Sequence, residues 1–333
     1  MINDEKTVKR KTKKVKMKNN HVQSMLGDIP YLYWNVDGIG DMLGDQDVLD
    51  YIMKFKIIVL AETKKGPSYK PKIPGYQSFP HPRTYKHPKS KRYDGGMIVF
   101  VADDISSFIK VDPVLEHLIW VSVKKKHHLA FIYIPPPPKA IDTRPIPDYI
   151  ETLRDQLIKK KSEGFIYLCG DGNCRTGDLL DFYPNLGDED CSYMPIMSER
   201  QNCDKKINSR GRQFIESICK YVGIQILNGR APFNNSNRFT CHKWNGKSVI
   251  DLLLAQPECA YFITNFMIDN RRPESDHNPL IFNLSDKSLI VKENPKKTNF
   301  GPYRYTWKAD KKDKYISSLS EDDNIESLQT FDV

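Results

Sequence analysis

Six places along the chain put a carboxylate, a carboxamide, an imidazole or a phenol at or beside the end of a short apolar run. Asn35 follows Tyr33-Trp34, Glu62 follows Val59-Leu60-Ala61, and Tyr133 lies in Phe131-Ile132-Tyr133-Ile134-Pro135. Asp171 and Asn173 stand in Leu168-Cys169-Gly170-Asp171-Gly172-Asn173, and Asp251 stands in Val249-Ile250-Asp251-Leu252-Leu253. Ser275-Asp276-His277-Asn278-Pro279 precedes a last apolar run. As residue types these groups hold cations and move protons, and a strand end is where a rigid sheet fixes such a site. Each one alone has an ordinary explanation: a strand-end carboxylate caps a turn, and an Asp-His pair makes a local hydrogen bond. Asp251 is the least ordinary, because a charge inside an apolar strand is expensive unless it is paired. The weight lies in the series, spread over six strand ends.

Those ends belong to a recognisable set of elements. Apolar or alternating runs predict strands at 31–36, 57–61, 97–102, 106–111, 118–123, 129–134, 165–169, 224–227, 249–255, 262–268 and 280–284. Helical spacing appears at 47–55, 146–163 and 211–222. Strands come in runs and helices are dispersed, which favours two packed sheets flanked by helices over a regular βαβ array. Residues 174–208 are polar and acidic and read as a long loop. The organisation expected is a basic arm over 1–24, a catalytic domain over 25–285 and a polar linker or tail over 286–333.

Composition narrows the class. The chain has 333 residues, 39% hydrophobic and 28% charged, a globular balance and not that of a disordered or membrane protein. Its N-terminus is a lysine run with no apolar segment behind it, unlike a secretory signal. Seven cysteines without a CxxC pair point to reduced thiols inside the cell and away from a disulfide framework. Cys241-His242 has no further Cys or His at zinc spacing, which argues against a structural zinc. The net charge of +9 is unevenly placed. Residues 1–20 carry eight Lys/Arg against Asp4 and Glu5, and 63–93 carry nine and no acid. Residues 286–333 carry nine of each sign, so the remaining body is acidic. The first stretch is either a solvated arm or a nuclear-import or nucleic-acid arm. The second interleaves its cations with Tyr69, Tyr76, Phe79, Tyr85 and Tyr93 and is dense in proline, which forbids a helix. It reads as one extended surface loop, either merely solvated or suited to a nucleic-acid strand through phosphate neutralisation and base stacking. Trp244, near a turn, either stacks on a base or packs in that turn.

The series of strand-end residues resembles the endonuclease/exonuclease/phosphatase superfamily, over roughly residues 31–284. Within it the chain is similar to the endonuclease domain of non-LTR (LINE-type) retrotransposons. That likeness rests on Trp34-Asn35-Val36-Asp37-Gly38-Ile39, Tyr93-Asp94-Gly95-Gly96-Met97, Leu227-Asn228-Gly229-Arg230, Arg238-Phe239-Thr240 and Ser248-Val249-Ile250-Asp251. Residues 303–319, around Tyr305-Thr306-Trp307, resemble the linker that follows the domain in such elements. The resemblance implies a four-layered α/β sandwich, two packed and mostly antiparallel sheets flanked by helices. It implies Mg²⁺, with Mn²⁺ as a substitute, held by Glu62 with Asn35 and assisted by Asp276; such a hard cation wants oxygen ligands and keeps several waters. Asp171 would orient and deprotonate the attacking water, Asn173 and Tyr133 would hydrogen-bond the scissile phosphate, and His277 would contact it, oriented by Asp251. Asn208, Asn228, Arg230, Thr240, Lys64 and Arg92 fall where substrate contacts are expected. One departure is Gly172, where the family usually has a bulky residue; the glycine is expected to loosen the placement of Asp171 and Asn173.

The activity implied is Mg²⁺-dependent nicking of DNA to 3′-hydroxyl and 5′-phosphate ends, in the nucleus, without a membrane or an obligate protein partner. The sequence after residue 300 leaves no room for a reverse transcriptase, so a separated or truncated endonuclease domain and a host gene derived from one are both expected sources. A phosphatase or ribonuclease of the same fold and a catalytically silent DNA-binding relic are the alternatives.

Overall fold

The computed structural model describes residues 28–83, 93–137, 148–183, 198–270 and 273–287. Along the chain run β1 (Asp28–Asn35), α1 (Gln46–Ile52), β2 (Ile57–Ala61), β3 (Tyr76–His81), β4 (Met97–Ala102), β5 (Ile109–Leu115), β6 (Leu118–Val123) and β7 (His127–Tyr133). Then come α2 (Tyr149–Lys161), β8 (Phe165–Asp171), α3 (Ser209–Phe214, continuing as a π-helical turn over Ile215–Lys220) and β9 (Gln225–Ile226). The last elements are β10 (Cys241–Lys243), β11 (Gly246–Ser248), β12 (Asp251–Ala255), β13 (Ile263–Ile268) and β14 (Leu280–Ser285).

Two six-stranded sheets form, in the orders β13-β14-β1-β2-β4-β3 and β5-β6-β7-β8-β12-β9, with β10 and β11 as a separate hairpin. The β1–β2 and β7–β8 ladders are parallel and the other sheet ladders antiparallel. The period-2 alternation of a strand splits each apolar run between two cores. In β1, Tyr31 and Tyr33 face the space between the sheets, where they meet Phe131, Phe282 and Cys169. Leu32 and Trp34 face the other way and pack with Val48 and Ile52 of α1. On the second sheet Ala130, Ile132, Leu168 and Leu252 pack outward against Leu153 and Leu157 of α2 and Phe214 and Ile218 of the third helix. The result is the expected four layers, helix–sheet–sheet–helix. Central strands buried on both faces appear in sequence as unbroken apolar runs rather than alternating ones.

Helix starts follow side-chain caps. Asp45 accepts from the Asp47 and Val48 N–H groups, and Asp148 accepts from Ile150 and Glu151. That cap explains why α2 begins at Tyr149, inside the expected span. Asn208 caps α3 through the Gly211 N–H at 2.7 Å.

Two expectations need correction, and one element is new. Residues 106–111 are not one strand: Ser106–Phe108 is a 3₁₀ turn and β5 starts at Ile109. Within 63–93, Tyr76–His81 is the edge strand β3, not loop; its Pro80 is tolerated because only one side of the strand is paired. The β10–β11 hairpin has no counterpart in the sequence reading, because three-residue polar strands carry no periodic signal. The 1–24 arm, residues 84–92 with Arg92, and nearly all of 286–333 lie outside the described residues. No helix among the described residues is long and apolar enough to cross a membrane.

Candidate active site

Sheet register assembles the site. Tyr133 of β7 is paired with Asp171 of β8, and Asp171 with Asp251 of β12, so these three stand in one row across three strands. On the other sheet Asn35 is paired with Ala61, the residue before Glu62. β14 runs antiparallel to β1, with Leu280 beside Tyr33, so the preceding His277 arrives at the same edge. Backbone irregularity gathers there too. Of the seven non-glycine residues with positive φ among those described, Asp37 (46°), Glu62 (55°), Lys64 (55°) and Asn173 (46°) lie at this edge. Such conformations are sparsely populated and persist where surrounding structure imposes them, a distribution typical of functional sites.

Asp171 is buried and held from several directions. Its Oδ2 accepts from Asn35 Nδ2 at 2.9 Å and from Asn173 Nδ2 at 3.3 Å, and its Oδ1 from the Asn173 N–H at 2.8 Å. Its backbone N–H donates to the Tyr33 hydroxyl at 2.9 Å, and that hydroxyl donates to the Ile132 carbonyl at 3.0 Å. Tyr33 thus ties the first sheet to two strands of the second. With this many constraints, Gly172 does not leave Asp171 loose. A side chain at Gly172 would meet Cys174 Sγ at 2.8 Å, so the small residue matches its surroundings. Gly170 is still more constrained: a Cβ there would sit 2.1 Å from the Ile132 carbonyl oxygen.

The pair His277–Asp251 is the second half of the centre. His277 Nδ1 donates to Asp251 Oδ2 at 2.8 Å, and both residues are buried. Ser275 fixes this segment to the first sheet, its Oγ donating to the Asn35 carbonyl at 2.7 Å and accepting from the His277 N–H at 3.0 Å. The Trp34 indole donates to the His277 carbonyl at 3.0 Å. Asp171, Asp251 and His277 each present an atom within 4.8 Å of the others. Burial pushes the Asp171 carboxyl up, the Asp251 charge pushes it further, and it titrates at about 8. Burial pulls the His277 imidazole down, but the charge and hydrogen bond of Asp251, with Cys241 and Asp171, together outweigh it and the net shift is strongly upward, so the ring is charged at neutral pH.

Glu62 lies across the cleft from this row, hydrogen-bonded to Tyr133, whose hydroxyl is pushed well up, mainly by burial and then by the Glu62 charge. Lys64 Nζ stands 3.5 Å from Glu62 Oε1 and makes a tight contact with the Asp37 carboxylate. Asp276 is partly exposed, and its Oδ1 is buried with no hydrogen-bond partner. Glu62, Asn35 and Asp276 offer oxygen donors, the type a hard divalent cation takes; among the described residues the acidic and imidazole ligand atoms within 4.8 Å of one another include those of Asp171, Asp251 and His277, and not Glu62. Asn35 Oδ1 accepts from the Asp37 N–H at 3.0 Å and keeps a lone pair for such an ion.

The other sequence-selected residues divide. Thr240 is buried, and its Oγ1 accepts from the Ile250 and Asp251 N–H groups, both at 3.0 Å, so it positions Asp251. Asn228 does the same from the other side, bonding the Asp251 carbonyl and the Leu253 N–H. Neither side chain is free to meet substrate. Arg230 is not at a binding surface: its guanidinium is buried on Asp181 at 2.5 Å and the Ile226 carbonyl at 2.7 Å. Asn208 caps α3 and bonds the Asn173 carbonyl. Tyr33, Ser275 and Trp34 were given no role from sequence, because a buried Tyr or Trp in an apolar run reads as core. The hairpin is also new at the site. His242 N–H donates to the Asp276 carbonyl at 2.7 Å, and Trp244 at its tip is 99% exposed. A recess of about 850 Å³ beside Phe233, Tyr261 and Phe266 contains none of these residues.

Comparison with known proteins agrees with this architecture. No curated protein matches the chain. Among solved structures, the AP endonuclease LMAP from Leishmania major superposes with a TM-score of 0.57 at 13% identity, covering 78% of this chain and 88% of that one. The 3′-5′ exonuclease NExo from Neisseria meningitidis gives 0.51 at 15%, covering 76% and 98%. The endonuclease domain of TRAS1, a telomere-specific non-LTR retrotransposon, gives 0.49 at 15%, covering 78% and 99%. At these identities the likeness to the first two is one of fold. The sequence itself matches the Endonuclease/Exonuclease/phosphatase family over residues 32–277, the stretch from β1 to the site imidazole, and the chain belongs to that family.

Proposed function

We propose that the chain is a Mg²⁺-dependent endonuclease that nicks DNA, leaving 3′-hydroxyl and 5′-phosphate ends. The observation that carries this reading is the cluster of Asp171, Asp251 and His277, in one row with Tyr133, whose hydroxyl meets Glu62 from the other sheet. A phosphodiester needs an in-line water, donors on the non-bridging oxygens and help for the departing 3′ oxygen. Glu62, Asn35 and Asp276 would hold a divalent cation, which when bound would supply charge for the phosphate and the leaving oxygen. Asp171 takes the proton of the water; its raised pKa makes it a base suited to near-neutral pH. The Asn35 and Asn173 amides hold its carboxylate in orientation. His277, kept charged and aimed by Asp251, donates to the phosphate, and the Tyr133 hydroxyl adds a second donor.

DNA as the substrate is supported by the exposed Trp244, flanked by Lys243 and Lys247 on a hairpin anchored beside Asp276. An aromatic face next to cations suits a nucleotide strand. The LINE-type motifs favour derivation from a retrotransposon and a nuclear site of action. Incubating supercoiled plasmid with the protein and Mg²⁺ tests the reading: open circles are expected, and none with EDTA. Rates on inositol phosphates and RNA separate DNA cleavage from the other activities of the fold.

A further inference from the structure

The hairpin brings Cys241 against the site imidazole. Cys241 pairs with His277 in an isolated bridge, and its thiol contacts the ring. Cys241, Asp276 and His277 each present a ligand atom within 4.8 Å of the others. His277 Nε2 is 3.6 Å from Asp276 Oδ1, the oxygen that is buried without a hydrogen-bond partner. The sequence spacing of Cys241-His242 offers no zinc site; folding supplies a different histidine, from 36 residues along the chain.

The geometry points to a second cation site of a different chemical class: a zinc-like divalent ion held by Cys241 Sγ, His277 Nε2 and Asp276 Oδ1, with the fourth position open. Thiolate, imidazole and carboxylate are the three zinc ligand types, and three protein ligands plus an open position is a common tetrahedral arrangement. The second layer is already in place. A zinc-bound histidine usually gives its other N–H to a carboxylate, and His277 Nδ1 does so to Asp251 at 2.8 Å. That bond fixes the tautomer and aims Nε2 at Cys241 and Asp276. Zinc ligands stand about 2.0–2.3 Å from the ion, so atoms already this close reach one ion with small side-chain rotations. An approach exists on the Asp276 side, which is partly exposed, while Cys241 and His277 are buried. Binding displaces the thiol proton and the imidazolium proton on Nε2 to solvent.

The consequence is antagonism. The ion takes Nε2 from the scissile phosphate and Asp276 from the Mg²⁺ site, so zinc inhibits Mg²⁺-supported cleavage. Cys241 has no part in the proposed chemistry, and it sets this sensitivity. The inhibition rests on the nuclease reading; the binding does not.

Cobalt(II) tests the binding directly, because a cobalt–thiolate bond gives a near-ultraviolet charge-transfer band that oxygen ligands do not. One equivalent of Co²⁺ should produce the band in the wild type and in Glu62→Gln and Cys203→Ser. Cys241→Ser and His277→Ala should lose it, and zinc should displace it. X-ray absorption on the zinc-loaded wild type needs no variant and should find one sulfur at about 2.3 Å. In the plasmid assay, Cys241→Ser, measured against its own zinc-free rate, should need at least about tenfold more zinc for inhibition than the wild type. A band that survives Cys241→Ser, no band at all, or a zinc shell of nitrogen and oxygen alone overturns the proposal.

Discussion

In the proposed reaction Asp171 is the base, and its environment predicts how it responds to change. Asp171→Asn should lower the nicking rate by about 10²–10⁴-fold, the usual worth of a positioned general base, while plasmid binding in a gel-shift assay stays unchanged. The pH–rate profile should rise through the region near 8 as Asp171 loses its proton. Asp251 raises that pKa through its charge, so Asp251→Asn should be slower at its optimum with the rising limb displaced to lower pH. The same substitution removes the partner that keeps His277 charged, and the high-pH limb should move down with it. An unmoved profile would mean that the carboxylates do not interact as their register places them.

At the scale of elements, the site is a product of strand register. One hydroxyl joins the two sheets at that row. Tyr33→Phe should leave the Asp171 N–H and the Ile132 carbonyl each short of a partner. It should destabilise the fold by about 1–3 kcal/mol in urea unfolding and slow cleavage without changing DNA affinity. The strands were readable because burial on both faces makes β2, β4, β6 and β7 continuous apolar runs, and the strand-end polar residues could be matched to a family pattern. What the sequence hid follows from the same physics. Tyr33 and Trp34 look like core because most of their surface is core; only their polar tips work at the site. Arg230 looks like a substrate cation because composition cannot show that Asp181 neutralises it inside the protein. β3 was concealed by Pro80 within it and by the prolines and lysines around it, which an edge strand accepts. The β10–β11 hairpin was concealed by its shortness, although it carries the most exposed large aromatic side chain of those described. Its tip should bind nucleic acid: Trp244→Ala should weaken binding to a DNA oligonucleotide by about 1–3 kcal/mol with an unchanged melting temperature.

For the whole molecule, the placement of charge and of buried histidines sets the working conditions. Cations of the 63–83 stretch are partly committed within the body: Lys64 to Asp37 and Glu62, Arg83 to Glu116, and Lys65 over the Tyr69 ring. The salt dependence of DNA binding should therefore be shallower than a count of lysines and arginines suggests. Three buried histidines away from the site, His117, His127 and His128, have pKa values lowered chiefly by burial, His117 to about 4. Their folded values lie below the unfolded value of about 6.5. Their contribution is full above that value and is lost as pH falls from there toward 4. Asp171, raised, acts in the opposite sense as one group against three. The melting temperature should fall between pH 6.5 and 4, and His117→Gln should flatten the fall.

The most direct test of the central claim is cleavage of supercoiled plasmid by the wild type, Asp171→Asn and His277→Ala, each with Mg²⁺ and with EDTA. Nicked circles from the wild type with Mg²⁺, and their loss in both variants and in EDTA while DNA binding persists, are predicted. Nicking that survives either substitution, or a wild type that binds DNA and cleaves nothing with any divalent metal, would contradict it.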